Sequence, residues 1–248
     1  MTPVALRTPR LLLSVPTTAD VDAITAACQD PLVQRWTTVP SPYARADAEA
    51  FVTSYVPSGW ESGARATWAI RRLSAGQTAS DRHGTDHGDT DHGDTDTDTD
   101  TDTDTDTDDD DTDHGDTDDG GSELVGMIGL EGLADGAGEI GYWLAPGARG
   151  SRLTGEAVAA VLDYGLDPGG LALERIQWRA YAGNSPSARV ARRAGFRFEG
   201  LRRLGAVGRD GRSDEWTAAI LRGDDRAPAD GWPPAVVGSS GSADTDFR

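Results

Sequence analysis

The chain has 248 residues and a formal net charge of −19, but residues 81–120 alone hold 19 Asp against one Arg, so the acidity belongs to one segment and the rest is near neutral. This distribution argues against a nucleic-acid binder, and the single cysteine, Cys28, excludes an internal disulfide or a thiolate metal cluster. No apolar run approaches the roughly 20 residues of a membrane span, and no basic stretch leads into an apolar one at the N-terminus, so a soluble cytoplasmic protein is expected.

Arg10-Leu11-Leu12-Leu13-Ser14-Val15, followed by Pro16, reads as a first strand. Thr17-Thr18-Ala19-Asp20 resembles a helix N-cap with an acid in the first turn, and the helix is predicted to reach about Gln29 and stop before Pro31. Cys28 lies in it and is expected to be a small buried hydrophobe. Ser41-Pro42 is expected to open a second helix, with Phe51, Val52 and Tyr55 on one face. Residues 66–73 alternate and are rich in strand formers.

Composition then collapses. Asp86-His87-Gly88-Asp89-Thr90 is followed at once by Asp91-His92-Gly93-Asp94-Thr95, a Thr-Asp alternation runs to Asp108, and the pentad returns at 113–117. A tandem repeat that decays into a dipeptide reads as slippage of repetitive DNA. So charged and apolar-poor a segment, 76–121, is expected to be an extended, disordered insert. Its Asp-His clusters could hold divalent metals weakly, but Thr-Asp alternation lacks the ordered loop that calcium sites need, and no metal site is expected.

Strand signals resume at 123–130. A Gly-rich turn, Ala134-Asp135-Gly136-Ala137-Gly138, leads to a second strand at 139–144, which makes a hairpin. After the loop at 145–150, Leu153, Ala157, Val158, Val161 and Leu162 form an apolar stripe at helical spacing. Residues 175–181 read as a strand. Ser185-Pro186 makes a cap with Pro in the first turn of a helix that Gly195 closes. Final strands fall at 196–199 and 214–221, with a turn at Gly208-Arg209-Asp210-Gly211. The tail, 223–248, has no periodicity and is expected to be disordered. The sum is one mixed α/β domain over 1–222, interrupted by the insert.

Two motifs carry a resemblance. The turn at Arg149-Gly150, leading to Glu156-Ala157, resembles the acyl-CoA pyrophosphate loop of the GNAT N-acetyltransferase superfamily. Asn184-x-x-Ser187 followed by Val190-Ala191-Arg192-Arg193-Ala194-Gly195-Phe196 resembles the Asn-x-x-Ser…Gly-Phe helix of that family. Glu139-Ile140-Gly141-Tyr142-Trp143-Leu144 is similar to the fourth strand of its ribosomal-protein alanine acetyltransferase (Rim-type) branch. The resemblance implies the GNAT fold, a central, mostly antiparallel sheet flanked by helices, and acetyl-CoA as co-substrate. The family loop usually reads Gln/Arg-x-x-Gly-x-Gly/Ala; here those positions are Gly147, Gly150 and Arg152. Gly155 stands where Thr or Ser is usual.

On that resemblance, Arg149, Gly150, Ser151, Arg152, Leu153 and Thr154 would receive the pyrophosphate at a helix N-terminus, whose unpaired N–H groups suit an anion. Read alone, Arg149-Gly150 is equally an ordinary strand-to-helix turn. Arg152 would replace a backbone contact with a charge-assisted one, or obstruct the loop. The strands at 139–144 and 175–181 would splay, leaving a backbone edge at Leu144 for pantetheine. Asn184 would bond the same arm, or serve simply as a helix cap.

The implied reaction is direct attack of a primary amine on the thioester in a ternary complex. Every histidine lies within 81–120, so Glu139 is the best base candidate, its alternative being a charged residue on the solvent face of a hairpin. Ser187 would donate a hydrogen bond to the leaving sulfur, or belong to the helix first turn alone. Glu156 is expected to be structural. Trp36, Pro40 and Tyr43 would line the acceptor channel or fill the core. The acceptor is expected to be a protein N-terminal amine or a small-molecule amine, and the assembly a monomer or homodimer without nucleic acid or membrane. The competing functions are a degenerate acyl-CoA-binding or sensor module, and a cation or basic-protein binder built on the acidic insert.

Overall fold

The computed structural model describes residues 1–74 and 122–237. Eight strands form one sheet: β1 (Leu6–Arg7), β2 (Leu11–Ser14), β3 (Arg65–Arg72), β4 (Glu123–Ala134), β5 (Ala137–Leu144), β6 (Arg175–Tyr181), β7 (Arg197–Gly208) and β8 (Gly211–Leu221), in the order β1-β2-β3-β4-β5-β6-β8-β7. Every pairing is antiparallel except β5 with β6. A parallel pair needs a crossover, and α5 (Leu153–Leu166) supplies it. The mixed, mostly antiparallel α/β architecture is the one expected.

Side chains alternate across the sheet and divide the core. On one face Trp68, Ile70, Ile128, Leu130, Ile140, Ile176 and Trp178 pack with the predicted α5 stripe, Leu153, Ala157, Val158, Val161 and Leu162, and with Ala188 and Ala191 of α6 (Ser185–Arg193). On the other face Ala69 and Met127 meet Val21, Ile24 and Cys28 of α1 (Val21–Ala27) and its end, Val33 of α2 (Pro31–Trp36), and Ala48 of α3 (Arg45–Ala50). Cys28 is buried, and burial pushes its thiol up to about 11, which suits an inert core residue. Asp20 and Arg71 form a buried bidentate ion pair, at 2.9 and 2.7 Å, between the start of α1 and β3.

Several elements differ from expectation. The chain stops being helical before Pro31 but at once starts α2, because Asp30 Oδ1 accepts from the Leu32 and Val33 amides and Pro31 fits the first turn, where no N–H is required. The second helix begins at Arg45 and not at Ser41-Pro42. It widens into a π turn at Phe51–Tyr55 before α4 (Val56–Ser62). Pro57 has no N–H to offer the preceding turn, which accounts for the break in the α pattern there. β7 runs on to Gly208, far beyond the predicted 196–199, while β8 starts at Gly211, just before the predicted 214–221.

The tail expectation is corrected over 223–237. A short helix α7 (Pro234–Val237) forms there, and Trp232 and Val236 are buried in the main core. Two large apolar side chains outweigh the Pro, Gly and Asp that surround them in the sequence. Residues 238–248, and the insert expected at 76–121, lie outside the described residues.

β3 and β4 are antiparallel neighbours, with Arg72 opposite Glu123 and an ion pair between them at 3.5 Å. The two ends of the insert therefore meet across one strand spacing. Replacing 75–121 by a short Gly-Ser turn should preserve cooperative unfolding and the circular dichroism spectrum, because a hairpin needs only a few residues there. Closing a loop about tenfold shorter should stabilise the fold by roughly 2 kcal/mol in urea titrations.

Candidate functional site: the cleft between β5 and β6

β5 and β6 pair over four residues, from Ala137 opposite Arg175 to Ile140 opposite Trp178, and then part. β5 continues on β4 as far as Leu144, and β6 continues on β8 as far as Tyr181. The splay that the resemblance implied is thus present, and it leaves a wedge-shaped cleft in the middle of the sheet.

The segment following β5 leads into α5 at the open end of the wedge. A single 3-10 turn, Pro146–Ala148, is followed by Gly150 at φ +76° and Arg152 at φ +62°. Ser151 Oγ donates to the Ala148 carbonyl at 2.5 Å. Arg152 occupies the N-cap position and makes no side-chain cap, so no side chain there competes for the first-turn amides of Leu153 and Thr154, and the positive end of the helix dipole faces this loop. Arg152 itself holds a left-handed conformation that glycine adopts freely, which explains why a glycine is usual at this position.

Arg149 is turned away from the loop. Its guanidinium donates to Asp30 Oδ1 at 2.5 Å and to the Leu144 carbonyl at 3.2 Å, tying the cleft mouth to the N-terminus of α2. Although burial opposes it, Asp30 is held below the ordinary carboxylate range by Arg149 and by the Val33 and Leu32 amides. Leu144 thus sits on the open edge as expected, with its carbonyl already engaged by Arg149.

The two faces of the cleft differ chemically. On the α6 face, Ser187 Oγ accepts from the Trp178 indole at 3.1 Å and donates to Tyr142 Oη at 3.1 Å, while Tyr142 Oη donates to the Ser187 carbonyl at 3.0 Å. Burial raises the Tyr142 phenol, so it stays protonated at neutral pH. Asn184 is 7% exposed and caps α6 through Oδ1, which accepts from the Ser187 amide at 3.3 Å. The cap reading of Asn184 is therefore observed, and its Nδ2 is the group left to donate.

The opposite face carries charge. Glu139 Oε2 accepts from Arg179 Nε at 2.5 Å and from Gln177 Nε2 at 3.1 Å. Arg179 also faces Glu215, at 3.6 Å, and Glu215 accepts from Arg202 at 2.7 Å. Glu215 is 4% exposed, a burial that only the two arginines make tolerable. A cavity of about 390 Å³ opens beside this network, lined by Glu131, Glu139, Arg175, Gln177 and Arg179. Glu139 is thus a half-buried, ion-paired residue of the β4–β5 hairpin. The sequence analysis missed Gln177, Arg179 and Glu215; the alternation of polar residues at 177 and 179 with Ile176 and Trp178 was the available signal.

Glu139 lies within the paired stretch of β5 and β6, opposite Gln177, and on the sheet face opposite to Tyr142 and Ser187. Tyr43 is buried with α1 and α3 and fills the core. Arg209, at the β7–β8 turn, donates to the Gln34 and Val39 carbonyls, so that hairpin reaches across to α2 and the segment after it.

The chain belongs to the GNAT acetyltransferase family, whose domain model matches residues 10–197. Its fold is similar to that of RimL, a ribosomal L7/L12 alpha-N-protein acetyltransferase in complex with coenzyme A (15% identity, TM-score 0.63, 88% of this chain and 98% of that one). Mycobacterium smegmatis RimJ in complex with CoA-disulfide is similar as well (18%, 0.62, 89% and 90%). So is MccE, a microcin C7 self-immunity acetyltransferase in complex with acetyl-CoA and AMP (12%, 0.62, 86% and 93%). At such identities the likeness is one of fold. No curated protein sequence matches significantly.

Glu156 is structural, as expected. Its carboxylate accepts from Thr8 Oγ1 at 2.5 Å, the Arg10 amide at 3.0 Å and Arg10 Nε at 2.6 Å, which fastens the first turn of α5 to the β1–β2 turn. Burial pulls against it, but Thr8 and Arg10 hold the carboxyl below its ordinary value near 4.5. Its contribution is therefore complete above that value and is lost as pH falls through the lower folded one. Glu156→Gln should cost about 1–2 kcal/mol at pH 7, with the gap to wild type closing on acidification, as read by thermal unfolding across pH. Arg152→Gly should not destabilise and should gain up to about 1 kcal/mol from relief of the left-handed strain.

Proposed function

We propose that this protein transfers an acetyl group from acetyl-CoA to a primary amine by direct attack in a ternary complex. The observation that carries the reading is the wedge between β5 and β6, which runs from the uncapped N-terminus of α5 to the point where the strands part. Pyrophosphate would lie over the first-turn amides of α5 and the loop from Arg149 to Thr154, with Gly150 allowing close approach. Pantetheine would follow the open edge near Leu144, displacing Arg149 from its carbonyl, and Asn184 Nδ2 would donate to the arm.

The thioester would then sit between Glu139 and Ser187. The amine nitrogen attacks the carbonyl carbon, the C–N bond forms and the C–S bond breaks. Glu139 takes the proton shed by the amine, directly or through water, with Arg179 and Gln177 fixing its carboxylate. The sulfur leaves as thiolate, stabilised by the Ser187 hydroxyl, whose proton turns from Tyr142 to the sulfur by rotation about one bond. Solvent then protonates the thiolate. The acceptor is a protein N-terminal amine or a small-molecule amine. Support comes from the fold shared with ribosomal-protein acetyltransferases and an immunity acetyltransferase.

Calorimetry with acetyl-CoA, followed by free-thiol release across a panel of amines, tests the reading. Binding without release to any amine would favour a sensor module. Glu139→Gln should lower turnover at least tenfold and leave acetyl-CoA affinity within twofold, and Ser187→Ala should cost less. Equal activity of Glu139→Gln and wild type across pH would remove Glu139 as base. Arg152→Gly should leave acetyl-CoA affinity level or slightly reduced; a tenfold rise would mean that the arginine obstructs the loop.

A further inference from the structure

The segment after β8 lies along both helices that frame the cleft. Arg226 donates to Asp163 Oδ1 of α5 at 3.1 Å. The Ala229 carbonyl accepts from Arg192 Nε at 3.2 Å, and the Ala235 carbonyl accepts from Arg189 at 3.4 Å, both arginines being on α6. Gly195, which ends α6 at φ +93°, has the strap pressed against it: a Cβ there would come within 2.8 Å of Arg226 Cα and of the Asp225 carbonyl. Three consecutive supports thus fall on the one helix that carries Asn184 and Ser187.

Trp232 is the centre of this strap. It is 5% exposed, and its indole N–H donates to the Phe196 carbonyl at 3.2 Å. Its ring lies 5.3 Å from Phe198 and 5.6 Å from Trp178, centroid to centroid. Trp178 in turn donates its own indole N–H to Ser187 Oγ. Trp178 is also the last residue of β6 to pair with β5, so it stands where the wedge opens. A continuous path of packed rings and one hydrogen bond runs from Trp232 to the Ser187 hydroxyl.

We infer that the strap 223–237 is a positioning element of the acetyl-CoA site, with Trp232 setting α6, and with it Ser187 and Asn184, through Trp178. Trp232 touches no substrate; it acts by fixing the helix against which the acyl-CoA arm would lie. The inference rests on the cofactor reading given above. An unsupported α6 could shift by fractions of an ångström with the fold intact, and hydrogen bonds to a ligand weaken steeply on such displacement.

The test is calorimetric titration of acetyl-CoA into wild type, Trp232→Ala, Trp232→Phe and Ile24→Ala, with thermal unfolding of each. Ile24 is buried in the other cluster, on the opposite side of the sheet, and serves as a control that loses stability away from α6. Trp232→Ala should weaken acetyl-CoA at least tenfold. Trp232→Phe, which keeps an aromatic ring against Trp178, should recover affinity to within about threefold of wild type. Ile24→Ala should lower the Tm comparably and leave affinity within twofold. If Trp232→Ala does not fold, Trp232→Leu takes its place, with at least fivefold weakening expected. Affinity of the alanine or leucine variant within twofold of wild type, or equal weakening in Ile24→Ala, would overturn the inference and leave the cofactor reading standing. Failure of the wild type to bind acetyl-CoA would overturn both.

Discussion

One parallel strand pair organises the molecule. In an antiparallel sheet each strand can hand over to the next by a tight turn, but β5 and β6 run the same way, so the chain must cross the sheet between them. α5 is that crossover, and its apolar stripe fixes it to one face. Its N-terminus is then obliged to lie just beyond the C-terminal end of β5. Parting the two strands after four residue pairs places the wedge directly under that helix terminus. An electropositive helix end and an unpaired strand edge are thus brought together by topology before any side chain is chosen.

The side chains then give the two faces of the wedge different physics. On the α6 face, Tyr142, Ser187 and Trp178 form a neutral network whose members are hydroxyls and an indole, backed by aromatic packing. On the other face, charges alternate in sign through Glu139, Arg179, Glu215 and Arg202. Arg179 and Arg202 together offset the cost of burying Glu215, and Arg179 links that carboxylate to Glu139. Removing Arg179 would release Glu139 and leave Glu215 to Arg202 alone. In the proposed reaction the thioester would draw on the hydrogen-bond donors of one face and the carboxylate of the other.

The sequence made the frame of the site legible where local chemistry decides the structure. Ser185-Pro186 and Gly195 bracket α6 because Pro tolerates a first turn and a left-handed residue ends one. The stripe from Leu153 to Leu162 fixes the buried face of α5 without reference to anything else. What stayed hidden depends on partners distant in sequence. Arg149 looks like a loop arginine until Asp30, 119 residues earlier, is seen to hold it. Trp232 sits among prolines and glycines that read as disorder, and only Trp178 and Phe198 give it a reason to be buried.

The register of β3 on β4 carries a consequence for how this chain can change over generations. Arg72 opposite Glu123 closes the sheet whatever number of residues separates them in sequence. Replication slippage in the pentad tract would add or remove Asp-His-Gly-Asp-Thr units, and each unit brings two aspartates. The sheet pairing is untouched by such events, while the net charge moves by two at every step. A change in the number of such units would therefore move the isoelectric point of the chain and leave the register of the sheet as it is.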